Sequence, residues 1–281
     1  MRVDVARNLD RALDLLAERP TADLINGGTD LMVEINFGRK RPESVIAIDR
    51  VSELRDLSRN GSVKMGAGVT FTTMLERDCG SVALREAART VGSPQIRNAA
   101  TIGGNVATSS PAGDALPVLA ALDARVHLRS KRGERVVPFN EFMTGPKKNV
   151  RARDELVTAV EWDDAGPEQV FMKVGTRNAM VIAVASLALV ADHINARVGV
   201  GLGSCGPTIL TAPEAAKFAA GLMDEADWEP FVPSDAACAE FGAKVAAAAR
   251  PIDDVRGTAA YRRHVLAVMG ARALARVARM S

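Results

Sequence analysis

Thiol, imidazole and aromatic side chains are all scarce in this chain. Its 281 residues include three cysteines, three histidines, two tryptophans and one tyrosine. Cys79, Cys205 and Cys238 lie far apart, without a CxxC pair or metal-like spacing. They are too few to hold an iron–sulfur cluster, and a reduced cytoplasmic protein is the expectation. His127, His193 and His264 form no His-x-x-x-His pair and read as ordinary surface or packed residues. Neither sign of charge dominates: 36 basic residues are interspersed with 34 acidic ones, for a net charge of +2, which argues against a nucleic-acid binder. The longest apolar run, Met180 to Ala191, is too short to span a bilayer. The opening Met-Arg-Val-Asp has no apolar signal core, so nothing suggests export. HExxH, a Walker lysine, a Ser/His/Asp arrangement and a strand running directly into GxGxxG are missing too, as are internal repeats. The chain offers no metal site and no catalytic residue of its own.

What is present suggests two domains. Asn8 is placed to cap a first helix carrying Leu9, Ala12, Leu13 and Leu16, with Pro20 ending it. Leu24-Ile25 reads as a strand, Thr29 as the cap of a helix with Leu31, Met32 and Ile35, and Ser44 to Ile48 as another strand; this α/β unit closes near residue 56. Val63, Met65 and Ala67 have a strand period, and helices are expected from Thr70 or Thr72 and over Ser81 to Val91. Gly92 to Gly113 is polar, aperiodic and long, and reads as a functional loop. Asp114 then caps a helix through Leu122, with strands around Ala124–Leu128, Arg135–Val137 and Leu156–Trp162. Beyond the linker Asp163 to Pro167, Val181–Val190 and Arg197–Leu202 form a hairpin, Thr211-Ala212-Pro213-Glu214 a capping box, and Ser234 the cap of an alanine-rich helix. The last helix collects Leu266, Gly270, Ala273, Leu274 and Val277 on one face and Arg272, Arg276 and Arg279 on the other: a solvated face, or a dock for an acidic partner.

Two glycine pairs carry the chemistry. Asn26-Gly27-Gly28-Thr29-Asp30 and Thr101-Ile102-Gly103-Gly104-Asn105 each follow an apolar stretch and lead toward a helix-forming segment. Glycine permits positive φ and close approach to a ligand, and successive N–H groups in such turns make anion sites. Two such turns suit the two ends of one long phosphate-bearing ligand, a dinucleotide first of all.

These runs, together with Gly92-Ser93-Pro94-Gln95-Ile96-Arg97-Asn98 and Ser110-Pro111-Ala112-Gly113-Asp114, closely resemble the FAD-binding subunits of molybdenum hydroxylases, a group that includes the carbon monoxide dehydrogenase medium chain and the xanthine dehydrogenase FAD domain. The similarity continues through Lys173-Val174-Gly175-Thr176-Arg177, Leu202-Gly203-Ser204, Pro207-Thr208, Asp254-Val255-Arg256-Gly257 and Tyr261-Arg262-Arg263, covering the chain in order. The resemblance implies an α+β fold: a PCMH-type FAD-binding domain over 1–168, in subdomains of about 1–56 and 57–168, then a smaller α/β domain of antiparallel strands and helices over 169–281. It implies that Leu24, Ile25, Asn26, Gly27, Gly28, Thr29, Asp30 and Leu31 surround the FAD diphosphate, with Gly27, Gly28 and Thr29 donating N–H groups. It implies that Thr101, Ile102, Gly103, Gly104 and Asn105 close over the cofactor, that Asp114 holds a polar part of it or simply caps its helix, and that Val157 and Lys173 lie near the isoalloxazine ring. An ammonium at Lys173 would stabilise the negative charge of reduced flavin. Val91, also at the cofactor, and Met180 stand where relatives can present an aromatic or acidic group, so ring stacking and acceptor preference stay open.

The resemblance further implies electron transfer. Electrons would come from the [2Fe–2S] clusters of a small subunit, after substrate chemistry on a molybdopterin large subunit, and pass from FAD to an external acceptor; a dimer of heterotrimers is expected. The scarcity of cysteine agrees with clusters on other chains. A stand-alone FAD-dependent oxidase or reductase, and a non-catalytic nucleotide-binding scaffold, are the alternatives. Neither glycine turn contains a histidine, so the FAD is expected to be non-covalent: acid precipitation should leave flavin in the supernatant, and flavin in the pellet would contradict this.

Overall fold

The side chain of Asn8 accepts the Arg11 N–H at 2.8 Å and so starts helix α1 (Leu9–Glu18), which buries Ala12, Leu13, Leu15 and Leu16. In the computed structural model, which describes residues 1–280, α1 packs near a three-stranded parallel sheet of β1 (Arg2–Val5), β2 (Asp23–Ile25) and β3 (Ser44–Ala47), in the order β1-β3-β2. β1 has no strand signature in the sequence because its residues are mostly exposed. Helix α2 (Leu31–Asn36) follows β2; Asp30, not Thr29, is its cap residue, and it makes no side-chain capping bond.

The second subdomain centres on an antiparallel sheet of order β4-β5-β10-β6-β7. It comprises β4 (Leu57–Asn60), β5 (Ser62–Gly66), β6 (Arg125–Ser130), β7 (Gly133–Pro138) and β10 (Leu156–Asp163). Between β5 and β6 run five helices: α3 (Phe71–Glu76), α4 (Val82–Thr90), α5 (Pro94–Ala99), α6 (Ile102–Thr108) and α7 (Leu116–Ala121). The expected long loop from Gly92 to Gly113 is thus largely two short helices. Their signal is local rather than periodic: Ser93 and Thr101 each cap through the side-chain oxygen, and Pro94 sits at the first turn. Short α8 (Phe139–Phe142) leads to a small hairpin of β8 (Met143–Gly145) and β9 (Lys148–Asn149).

After the Asp163–Pro167 connection come β11 (Gln169–Val174), β12 (Ala185–Asp192), β13 (Arg197–Gly203) and β14 (Leu210–Thr211), an antiparallel sheet in that order. The expected hairpin is β12–β13, although Val181 to Val184 precede the strand. All eight residues of β12 are buried, which explains the long apolar run. Alternate residues serve different cores. Ala188 and Val190 join the core of the N-terminal domain, whereas Leu187, Leu189 and Ala191 join that of α9 (Pro213–Glu225), α10 (Asp235–Ala248) and α11 (Ala259–Val277). Ser234 caps α10 as expected, but Thr211 does not cap α9: Ala212 holds that position, without a side-chain bond. On α11, Leu266, Gly270, Ala273, Leu274 and Val277 are buried, while Arg272 and Arg276 are exposed, as is Arg279 just past the helix end, and Arg276 pairs with Glu86 on α4. No helix among the described residues is long and apolar enough to cross a membrane.

The two domains meet backbone to backbone. A Cβ at Gly199 would lie 1.8 Å from the Ala121 carbonyl oxygen, and one at Gly201 would lie 2.0 Å from that of Pro117. Strand β13 can lie against α7 only without side chains there. Gly201→Ala should therefore lower the urea midpoint, by about 1–3 kcal/mol of stability. Gly221→Ala, on the exposed side of α9 with nothing within 4 Å of the new methyl, should raise it by up to about 1 kcal/mol.

Candidate functional site

Strand β2 ends in the first glycine turn, and the two glycines there do different work. Gly28 adopts φ +71°, in the left-handed region, while Gly27 lies so close to α5 that a Cβ would sit 1.7 Å from the Ala99 carbonyl oxygen. The turn is thereby pinned against the second subdomain. The backbone N–H groups of Gly27, Gly28, Thr29 and Asp30 have no acceptor among the described residues, although their neighbours Met32 and Glu34 are bonded in the helix. Half-buried free amides in sequence are an anion cradle.

The second turn is built the other way. Ile102 N–H donates to Val69 O at 3.0 Å, Gly103 N–H to Ala67 O at 2.9 Å, Gly104 N–H to the Thr101 hydroxyl at 3.1 Å and Asn105 N–H to Thr101 O at 3.0 Å. The expectation that both turns present amides to a ligand is corrected here. Two of these N–H groups fasten α6 to the strand end at Ala67–Val69, and the other two are taken by Thr101 in the helix's own first turn. Gly103 is needed for that approach, since a Cβ would lie 2.4 Å from the Ala67 methyl. Gly104 faces outward: a methyl added there would have only the Thr101 hydroxyl within 4 Å. Asn105 Oδ1 is buried without a partner.

Between the turns lies a cleft of about 630 Å³, within the range of roughly 300–1,000 Å³ usual for small-molecule sites. Of the residues singled out from the sequence, Leu24 through Leu31, Val91, Thr101, Gly103, Gly104, Asn105 and Val157 line it. Ile102 does not: its side chain is wholly buried in the core. Asp114 and Lys173 lie off the lining as well, paired with each other. The free amides, the open surface at Gly104 and the orphaned Asn105 oxygen fit a phosphate-bearing ligand with polar substituents.

Asp114 is not the cap of α7, a position held by Ala115. Its Oδ2 accepts from Lys173 Nζ at 2.6 Å and from the Thr90 hydroxyl at 3.1 Å, and Lys173 also donates to Thr90 O at 3.2 Å. Both side chains are 7% exposed. Burial pushes the Asp114 carboxyl above its usual value, while the charge and hydrogen bond of Lys173 pull it back. Lys173 comes from β11 and Asp114 from the N-terminal domain, so the pair bolts the domains together directly behind Thr90-Val91.

Three cations on the cleft wall are not evident from the sequence: Lys40, Lys147 and Arg151. Lys40 pairs with Asp23; Lys147, at the tip of the β8–β9 hairpin, reaches Glu34 at 2.7 Å and Asp30 at 3.4 Å on α2. The Glu34 hydrogen bond raises Lys147 above its ordinary value. Burial pushes the Arg151 guanidinium down. All three sit in charged stretches that, read locally, look like solvated loops. On the other side of the cleft Arg97 donates to the carbonyls of Arg89, Val91 and Gly92, closing the end of α4 beside Val91.

Residues 1–162 match a family described as the FAD binding domain in molybdopterin dehydrogenase, and residues 171–277 one described as the CO dehydrogenase flavoprotein C-terminal domain. The xanthine dehydrogenase FAD-binding subunit of Escherichia coli O157:H7 is 35% identical over 191 residues, 65% of each chain; the similarity thus spans just under two thirds of that relative. The glyceraldehyde dehydrogenase medium chain of Sulfolobus acidocaldarius is 31% identical over 283 residues, 97% of this chain and 96% of the relative. In fold, a chain of the carbon monoxide dehydrogenase from Hydrogenophaga pseudoflava, which lacks the Mo-pyranopterin moiety of the molybdenum cofactor, superimposes with a TM-score of 0.87 at 24% identity, covering 99% of this chain and 98% of the other.

Lys173→Met should cost about 3–5 kcal/mol, because it strands a buried carboxylate, and the double variant Lys173→Met/Asp114→Leu should recover most of that. The single variant should also acquire a pH dependence. Without the charge and hydrogen bond of Lys173 that pull it down, burial raises the folded Asp114 carboxyl further above its unfolded value, so stability is retained below the unfolded pKa and lost as pH rises through the folded one. Urea unfolding at pH 5 and pH 8 checks both statements.

Proposed function

The chain belongs to the family of FAD-binding domains of molybdopterin dehydrogenases, followed by a CO dehydrogenase flavoprotein C-terminal domain, and we propose that it is the FAD-binding electron-transfer subunit of a molybdenum-containing hydroxylase or dehydrogenase. The observation that carries this reading is the run of unpaired amides from Gly27 to Asp30 in a cleft held open by Gly104. Bound FAD supplies the redox chemistry, taking electrons from a donor and releasing them to an acceptor.

The chain's own part is to hold and place it. Gly27, Gly28 and Thr29 would donate to the diphosphate, Gly104 leaves room for it, and the unpartnered Asn105 Oδ1 would accept from one of its polar substituents. Val157, at a bulge in β10, and Val91 supply apolar wall. Lys173 acts as half of an ion pair rather than as a free charge, so its field at the cleft is that of a short dipole. Asp114 and Lys173 support the Thr90-Val91 end of the cleft from behind.

Electrons would arrive from the [2Fe–2S] clusters of a small subunit and leave to an external acceptor, with the substrate oxidised on a molybdopterin large subunit and a dimer of heterotrimers as the assembly. The relatives, one a FAD-binding subunit and one a medium chain, support a place within such a complex. Three scattered cysteines, two of them buried, leave the clusters to other chains. The divide between domains falls at 168/169, with the FAD-side subdomains at about 1–56 and 57–168. The Asp163–Pro167 connection and the two hydrophobic cores support it.

The purified chain should turn yellow on incubation with FAD. Gly104→Leu should weaken FAD binding at least about tenfold, or 1.4 kcal/mol, with the melting temperature of the apoprotein unchanged, as followed by flavin fluorescence. A wild-type chain that stays colourless defeats the proposal.

A further inference from the structure

Of the three cations on the cleft wall, Arg151 alone has no carboxylate in ion-pair contact among the described residues. Its guanidinium is fixed from one edge: Nη1 donates to the carbonyls of Ala152 at 3.1 Å and Glu155 at 2.6 Å. Nε and Nη2 have no acceptor among the described residues and are not sealed from solvent. The loop behind it is rigid, since Arg135 holds the Glu155 carboxylate at 2.6 and 2.8 Å and that carboxylate also takes the Ala152 N–H at 2.7 Å. Arg151 is therefore a presented donor plane rather than a loose surface side chain.

Its position along the cleft matters as much. Arg151 lines the cleft together with Asp23, the first residue of β2, and is held to the Glu155 carbonyl just before Leu156 and Val157 of the same wall. The amide cradle begins at Gly27, four residues after Asp23 and past the end of β2. Val91 and Ile96 stand by the start of α5, where Gly92 abuts Ile96, whereas the cradle abuts Ala99 at its far end; Ile182 lines the cleft too, and the Lys173–Asp114 pair lies behind at Thr90. The site thus has an anion cradle in the middle, an apolar end and a guanidinium end. A dinucleotide with its diphosphate in the cradle must send one ring system each way.

Resting on the FAD reading above, we infer that Arg151 recognises the adenine nucleoside half of the cofactor, stacking its plane on the purine or donating to its ring nitrogens, and so directs the flavin toward Val91. A guanidinium offers both a flat face and fixed donors, which a lysine ammonium does not. Selectivity for the dinucleotide over FMN, which lacks the adenosine half, is the consequence.

The test titrates wild type, Arg151→Ala and Arg151→Lys apoproteins with FAD and with FMN, alongside thermal melts. Arg151→Ala should weaken FAD at least about tenfold, and Arg151→Lys, which keeps charge without the plane, nearly as much. Apoprotein melting temperatures and any FMN affinity should hold. Unchanged FAD affinity in Arg151→Ala overturns the inference, as does full retention by Arg151→Lys. Equal loss for FAD and FMN, or a drop in apoprotein melting temperature that accounts for the loss, also overturns it by showing a loop-holding role. A wild type that binds neither flavin defeats the underlying FAD reading instead.

Discussion

Buried backbone amides must be paired, and the way this chain spends them determines where a ligand can sit. At the second glycine turn the N–H groups of residues 102–105 are all engaged internally, three of them with backbone carbonyls and one with the Thr101 hydroxyl. That stitching welds α6 to the end of β5 and makes one wall of the cleft rigid. At the first turn the N–H groups of Gly27 to Asp30 stay free. The contact of Gly27 with Ala99 O joins the two walls, so the fixed one holds the donating one in place. Two similar-looking dipeptides thus divide the labour between scaffold and donor.

The same economy governs the domain junction. Glycines on β13 let a strand lie on the carbonyls of α7, and a buried Lys173–Asp114 pair closes the seam beside the cleft. Glu86 on α4 adds two further ties, accepting the Phe171 N–H at 2.8 Å and pairing with Arg276. An ion pair of this kind contributes little net stability but is costly to break, since either partner alone is an uncompensated buried charge. The end of the cleft at Val91 is therefore coupled to the position of the C-terminal domain, and movement of one would be felt at the other.

Much of the architecture was legible because its signals are local. Asn8 and Ser234 cap the helices they were expected to cap, Thr70 rather than Thr72 caps α3, the helix expected over Ser81 to Val91 has Ser81 as its cap, and the apolar face of α11 is buried as its spacing required. Signals that depend on surroundings misled. Thr211 and Asp114 have the chemistry of caps, yet Asp114 finds a stronger partner in Lys173, 59 residues away in sequence. The Gly92–Gly113 stretch lacks periodicity because its helices are only six and seven residues long, and caps rather than faces define them.

The sequence by itself pointed to a phosphate-bearing ligand through the glycine pairs at 27–28 and 103–104, and to the family through the resemblance of the longer runs that contain them. Tertiary structure alone decided which of those turns keeps free donors, that Lys173 is neutralised by a neighbour, and that Lys40, Lys147 and Arg151 reach the cleft. Hydrogen-bond satisfaction and charge pairing depend on partners brought together by the fold, and no spacing along the chain encodes whether such a partner is already taken.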